Sequence, residues 1–88
     1  MRLKDGFVLR QVAGSWVIVA VGARCVDFDG MLTLNESGAA LWRLLEAGSD
    51  RQRLIQSLTE EYEVPEAQAG QDVDEFLDVL RGAGCLEE

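Results

Sequence analysis

The sequence predicts an α+β fold in which a three-stranded antiparallel sheet is followed by three helices. Apolar, β-branched segments separated by turn residues occupy positions 7–34, and from Asn35 onward the apolar residues recur with the 3.6-residue period of a helix. The connections between the strand segments are short, which favours an antiparallel meander with the helices packed on one face. At 88 residues the chain is expected to form one domain, residues 1–88.

Three segments in the first part of the chain read as strands. Residues Phe7–Val12 are rich in apolar and β-branched types, and Ala13-Gly14-Ser15 then supplies turn residues. Residues Trp16–Val21 are apolar on both faces, which predicts a central strand covered on each side. The third segment, Met31–Leu34, is short, apolar and uncharged. An edge strand without charge or proline is an open template for another strand.

Three helices are predicted in the second part. The first begins after an Asn35 cap and stops at Gly48, a glycine at the usual position for a helix end. The second begins at Ser49-Asp50, where Ser49 and Gln52 have the spacing of a capping box. Pro65 is placed to open the third helix, at about 66–82.

The third helix has three distinct faces when its residues are placed at 100° steps. One face is apolar and predicts the core: Ala69, Val73, Phe76, Leu77 and Leu80. A flank beside Phe76 carries Asp72, Val79 and Ala83, and the face opposite the core carries Asp74, Asp78 and Arg81.

The charge is negative and unevenly distributed. The formal net charge is −8; residues 1–34 carry four basic and three acidic side chains, whereas residues 35–88 carry four basic and thirteen acidic side chains. The acidic second part would repel nucleic acid, so we expect no nucleic-acid partner.

No constellation of catalytic or metal-binding residues is visible. The chain has no histidine, the serines lack a recognisable nucleophile setting, and the glycines form no phosphate-binding loop. The two cysteines, Cys25 and Cys85, are far apart in sequence and are expected to be free structural thiols, with a disulfide as the alternative. No segment resembles a signal peptide or a membrane span. We therefore expect a cytoplasmic, non-enzymatic protein without cofactor, metal or membrane contact.

Several short motifs occur together in one order. They are Lys4-Asp5-Gly6-Phe7, the junction Gly30-Met31-Leu32-Thr33-Leu34-Asn35-Glu36-Ser37-Gly38, Leu41-Trp42-x-Leu44-Leu45-Glu46-x-Gly48, Tyr62-x-Val64, and Asp72-Val73-x-x-Phe76-Leu77-x-x-Leu80-x-x-x-Gly84. In this arrangement the chain resembles the PqqD family of pyrroloquinoline quinone synthesis, the type of the wider RiPP recognition element. The resemblance runs from Leu3 to Leu86.

The resemblance implies a winged-helix-like domain that binds the leader segment of a ribosomally made precursor peptide. The leader would add as a strand along Met31–Leu34, in a groove shared with the third helix, and be presented to a modifying enzyme such as a radical SAM enzyme. Backbone groups of Met31, Leu32 and Thr33 would supply affinity, and Asp72 and Glu75 at the rim would favour a basic guest residue. The expected peptide-binding residues are Gly30, Met31, Leu32, Thr33, Leu34, Asp72, Glu75, Phe76, Val79 and Ala83.

Two other functions remain as alternatives. One is a winged-helix nucleic-acid binder, which the four acids between Asp72 and Asp78 disfavour because a recognition helix needs basic side chains. The other is a structural role in which the exposed strand pairs with its own copy to give a homodimer.

Overall fold

The computed structural model of the protein describes residues 1–22 and 32–87. Its strands are β1 (Arg2–Leu3), β2 (Phe7–Val12), β3 (Ser15–Ala20), β4 (Leu32–Leu34) and β5 (Leu86–Glu87). Its helices are α1 (Glu36–Glu46), α2 (Arg51–Glu61) and α3 (Glu66–Ala83), which all follow β4. The predicted order of three strands followed by three helices is confirmed, and the short strands β1 and β5 are additions to it.

The main sheet is an antiparallel meander in the order β2-β3-β4. The β2–β3 hairpin turns through Ala13 and Gly14 alone, with φ angles of 52° and 83°. Positive φ at both central residues is the requirement of a type I′ turn, whose twist matches that of the flanking strands. Ser15 therefore pairs with Val12 as the first residue of β3, one position before the predicted start of this strand.

The strand β3 lies at the centre of the sheet, as its apolar pattern predicts. Ile18 is fully buried on the face that meets the helices, and the adjacent Val17 is 5% exposed although it points to the opposite face. The main core joins this sheet face to all three helices. Its buried members are Ile18, Leu41, Trp42, Leu45, Leu54, Ile55, Leu58, Ala69, Val73, Leu77, Leu80, Cys85 and Leu86.

Residues suited to capping mark the starts of α1 and α2 and the end of α3. The Asn35 side chain caps α1 by accepting from the Gly38 N–H at 2.8 Å. The cap of α2 is Asp50, which accepts from the Arg53 N–H at 2.8 Å, so the predicted Ser49 capping box is wrong by one position. An aspartate is as good a cap as a serine, and local sequence alone does not choose between neighbours. The helix α3 ends at Gly84, in the left-handed conformation with φ 75°.

A second, two-stranded sheet joins the two ends of the described chain. Arg2 lies opposite Glu87 and Leu3 lies opposite Leu86 in the antiparallel β1–β5 pair. The Lys4 N–H extends the pair by donating to the Cys85 carbonyl at 2.8 Å. This pairing holds Leu86 and Cys85 against the core.

Candidate functional site

A groove of about 330 Å³ opens between β4, the first turn of α1 and the flank of α3. This volume is at the lower end of the range of ligand-binding pockets. The lining mixes apolar and polar side chains: Thr33, Leu34, Asn35, Ser37, Gly38, Leu41, Leu58, Asp72, Glu75, Phe76 and Val79. On α3, Val79 is 47% exposed, an unusual exposure for a large apolar residue of this helix.

Backbone hydrogen bonds across β2 and β3 determine which groups of β3 face β4. In an antiparallel pair, alternate residues direct both backbone groups to the same neighbour. The Val21 N–H donates to the Gly6 carbonyl across β2 and β3 at 2.8 Å. Every second residue of β3 faces the same neighbour, so the backbone groups of Val17 also face β2. Trp16 and Ile18 therefore direct their backbone groups to β4.

The same alternation identifies the open backbone groups of β4. Leu34 lies opposite Trp16, and Leu32 lies opposite Ile18, so both leucines form the ladder with β3. Thr33, between them, directs its N–H and C=O away from β3. Neither group has a backbone partner in residues 1–22 and 32–87. The groove therefore lies beside a donor and an acceptor that are open with respect to the described residues, on a strand at the edge of the described sheet.

The junction between β4 and α1 forms one end of the groove. The Asn35 Oδ1 accepts from the Ser37 Oγ at 3.0 Å as well as from the Gly38 N–H. Gly38 is buried, and a Cβ at this position would lie 3.1 Å from the Asn35 Oδ1 and 3.3 Å from the Leu34 Cβ. The absence of a side chain at Gly38 thus allows α1 to begin directly against the strand.

The structure brings most of the expected peptide-binding residues to this groove. Six of them line it: Thr33, Leu34, Asp72, Glu75, Phe76 and Val79. Leu32 and Ala83 are partly buried and pack against the core instead of lining the groove. Gly30 and Met31 lie outside the described residues.

Five lining residues were not expected from the sequence. They are Asn35, Ser37, Gly38, Leu41 and Leu58. Four of these belong to the strand-to-helix junction and the first helix, and the cap signal at Asn35 placed that helix start next to β4. Leu58 is a buried core residue whose contribution to the groove depends on how α2 packs.

The acids of α3 separate into two groups. Asp74 pairs with Arg51 of α2 through distances of 2.7 and 3.0 Å, and Asp78 pairs with Arg81 at 3.0 Å. The hydrogen bond from Arg51 holds the pKa of Asp74 below its usual value. Asp74 was predicted to face solvent, and in the structure it also joins α3 to α2 through this ion pair. Asp72 and Glu75 line the groove instead.

The thiol of Cys85 lies outside the groove. Cys85 is a buried free thiol, and burial raises its pKa, which favours the unreactive protonated form. Cys25 lies outside the described residues. Among residues 1–22 and 32–87, no group of three or more potential ligands is placed to hold a metal ion. No helix in these ranges is long and apolar enough to cross a membrane.

Comparison with known proteins assigns the chain to a family. Residues 15–86 match the family described as Coenzyme PQQ synthesis protein D (PqqD). The chain belongs to the PqqD family. No curated protein sequence matches it significantly. The matched residues run from the start of β3 through β4 and all three helices to the first residue of β5.

Two solved structures share the fold of this PqqD-family chain. One is TbiB1 in complex with the TbiA(beta) leader peptide, at 23% identity and a TM-score of 0.78, covering 99% of this chain and 95% of that one. The other is lasso peptide synthetase B1 complexed with the leader peptide, at 24% identity and a TM-score of 0.77, covering 99% and 96%. At this level of sequence identity, the structural similarity shows a shared fold.

Proposed function

We propose that this protein is a non-catalytic adaptor that captures the leader segment of a ribosomally synthesised precursor peptide and presents it to a modifying enzyme. The observation that carries the proposal is that the N–H and C=O of Thr33, beside a partly apolar groove, have no backbone partner in the residues that the structure describes. Membership in the PqqD family supports it. So does the shared fold with two proteins whose structures contain leader peptides.

The mechanism of capture is strand addition at the open edge of β4. A guest residue opposite Thr33 exchanges both backbone hydrogen bonds with it, and each such bond contributes about 0.5–1.5 kcal/mol net. Leu32 cannot supply backbone bonds to the guest because its groups already face β3. Its contribution is to hold the edge strand on the core.

The alternation of side chains along the strand defines which guest residues enter the groove. Thr33 lies opposite Val17, on the sheet face away from the helices. A guest residue paired with Thr33 shares that face, so its two chain neighbours point towards the helices. These two guest side chains, two positions apart, meet the groove wall formed by Leu34, Phe76 and Val79.

The remaining expected residues take supporting parts in this proposal. We assign Gly30 and Met31, which precede β4 in the sequence, to further contacts with the guest, and Ala83 to support of the α3 flank. The interface is small, at or below about 1,200 Å² in total, as in transient complexes. We assign the chemical step to a separate enzyme, with a radical SAM enzyme as the first candidate, and place capture in the cytoplasm, where ribosomes make the precursor.

The test is a proline substitution that removes only the open donor. Thr33→Pro deletes an N–H that faces away from β3, and an edge strand accepts proline at such a position. Thr33→Ala is the matched control, since it keeps the N–H and shortens only an exposed side chain on the sheet face away from the helices. Peptides corresponding to short reading frames near the gene for this chain are titrated by NMR and calorimetry. We expect Thr33→Pro to weaken binding about tenfold or more, because it leaves the guest carbonyl without a partner at a cost of about 1–3 kcal/mol, and we expect Thr33→Ala to leave the affinity within about twofold.

Two results would contradict the proposal. The first is unchanged affinity of Thr33→Pro, provided that its amide spectrum shows the native fold. The second is that none of the peptides encoded near the gene binds with a stoichiometry of one peptide per chain. Light scattering of the free protein separates self-pairing from peptide capture, because self-pairing through the same edge gives a dimer that Thr33→Pro dissociates.

A further inference from the structure

The acids of α3 differ in whether a basic side chain of this chain neutralises them. Asp74 and Asp78, on the side away from the groove, have salt-bridge partners in Arg51 and Arg81. Asp72 and Glu75 line the groove and have no salt bridge within residues 1–22 and 32–87, although Glu75 also borders the neighbouring cleft that Arg51 lines. Within the described part of the chain, the acids of this helix that border the groove therefore have no basic partner in a salt bridge.

The geometry of Asp72 favours a role in recognition. Its Oδ1 accepts from the Gln68 Nε2 at 2.9 Å, which restricts the carboxylate without neutralising it. The side chain is half-buried, whereas Glu75 is exposed. A partly desolvated carboxylate interacts more strongly with an added charge than a fully hydrated one. Among the described residues, no lysine or arginine lines the groove itself.

We infer that the groove selects guest peptides carrying a lysine or arginine close to their groove-facing apolar residues, and that Asp72 and Glu75 are the specificity-determining residues. This inference rests on the proposed function and names the chemistry of the guest. The apolar wall of Leu34, Phe76 and Val79 takes the two inward side chains of the added strand. The basic residue lies at the rim, where its charge meets the two carboxylates. A guest with an acid at that position is rejected by like-charge repulsion.

The test works even when the natural peptide has not been identified. A phage-displayed library of random 16-residue peptides is selected against the wild-type chain and against D72K/E75K. The wild type is expected to enrich apolar residues two positions apart with a nearby lysine or arginine. The charge-reversed variant is expected to enrich the same apolar pattern with aspartate or glutamate instead.

Calorimetry on a peptide selected by the wild type measures the size of the effect. We expect D72N/E75Q to weaken binding about three- to tenfold at physiological salt, with a smaller loss at high salt. D78N is the matched control, because it removes one negative charge from the same helix on the side away from the groove. Its affinity should stay within about twofold of wild type. A lysine-to-glutamine change in the peptide should reproduce the loss and leave little further effect for D72N/E75Q.

The outcomes distinguish a failure of this inference from a failure of the proposed function. If selected peptides lose affinity with Thr33→Pro but are unaffected by D72N/E75Q, the charge selection is wrong and strand capture stands. If the two selections return peptides of the same charge, the inference is overturned in the same way. If selected peptides bind Thr33→Pro normally, or if no peptide is enriched, both proposals fail.

Discussion

The cap of α1 gives a perturbation whose size follows directly from its contacts. Asn35→Ala removes the oxygen that accepts from the Gly38 N–H at 2.8 Å and from the Ser37 Oγ at 3.0 Å. The hydroxyl is exposed and can turn to water, but the Gly38 amide lies part-buried. The loss of such a cap costs about 1 kcal/mol, and up to about 2 where water is excluded. In a chain of 88 residues, 1 kcal/mol lowers Tm by about 4–8 °C.

Thermal and urea unfolding followed by circular dichroism at 222 nm measure this loss. Asn35→Asp keeps the acceptor and adds a charge that favours the helix N-terminus, so its Tm should equal or exceed that of wild type. Ser37→Ala removes only the exposed donor and should cost less than about 0.5 kcal/mol. Equal losses in Asn35→Ala and Ser37→Ala would show that the Gly38 amide does not depend on this cap. The explanation of the helix start would then be refuted.

Two further predictions concern the helices. Asp74→Asn should lower the free energy of unfolding at neutral pH, because Arg51 holds the pKa of Asp74 in the folded protein below its unfolded value. The ion pair therefore stabilises the fold above the unfolded pKa, and this stabilisation is lost as pH falls through the folded pKa. The urea midpoints of the variant and the wild type should converge below about pH 4. Trp42 is fully buried, and its Nε1 has no hydrogen-bond partner in the described part of the chain. Trp42→Phe should therefore cost less than about 2 kcal/mol in urea unfolding, because removing an unpaired buried donor offsets part of the packing lost with the smaller ring. Trp42→Ala should cost about 3–5 kcal/mol. Equal losses of stability in the two variants would contradict this reasoning.

The fold was largely predictable because its elements have strong local patterns. The period of apolar residues in α3 placed its core face, and four of the five predicted core positions are fully or almost fully buried. The fifth, Phe76, is half-buried because it lies where the core meets the groove. The strands β1 and β5 were not predicted. Two-residue strands have no measurable period, and their pairing joins distant parts of the chain.

The candidate site was predictable in outline but not in its hydrogen bonding. The uncharged third strand and the flank of α3 both border the groove. However, the sequence did not distinguish Thr33 from Leu32 as the residue with open backbone groups. That distinction depends on the register, which follows from a turn of two residues at Ala13 and Gly14.

The β1–β5 pair also brings the two ends of the described chain next to each other. Arg2 and Glu87 face each other across one antiparallel pair, so a short flexible linker between them has little distance to span. The exposed turn at Ala13 and Gly14 is then a natural place for new termini, since it contributes no side chain to the core. A circular permutant opened there keeps every element from β3 to α3 in its native order. Its free ends leave the sheet at the tip of the β2–β3 hairpin, which provides an attachment point for a fused enzyme away from the β1–β5 pair.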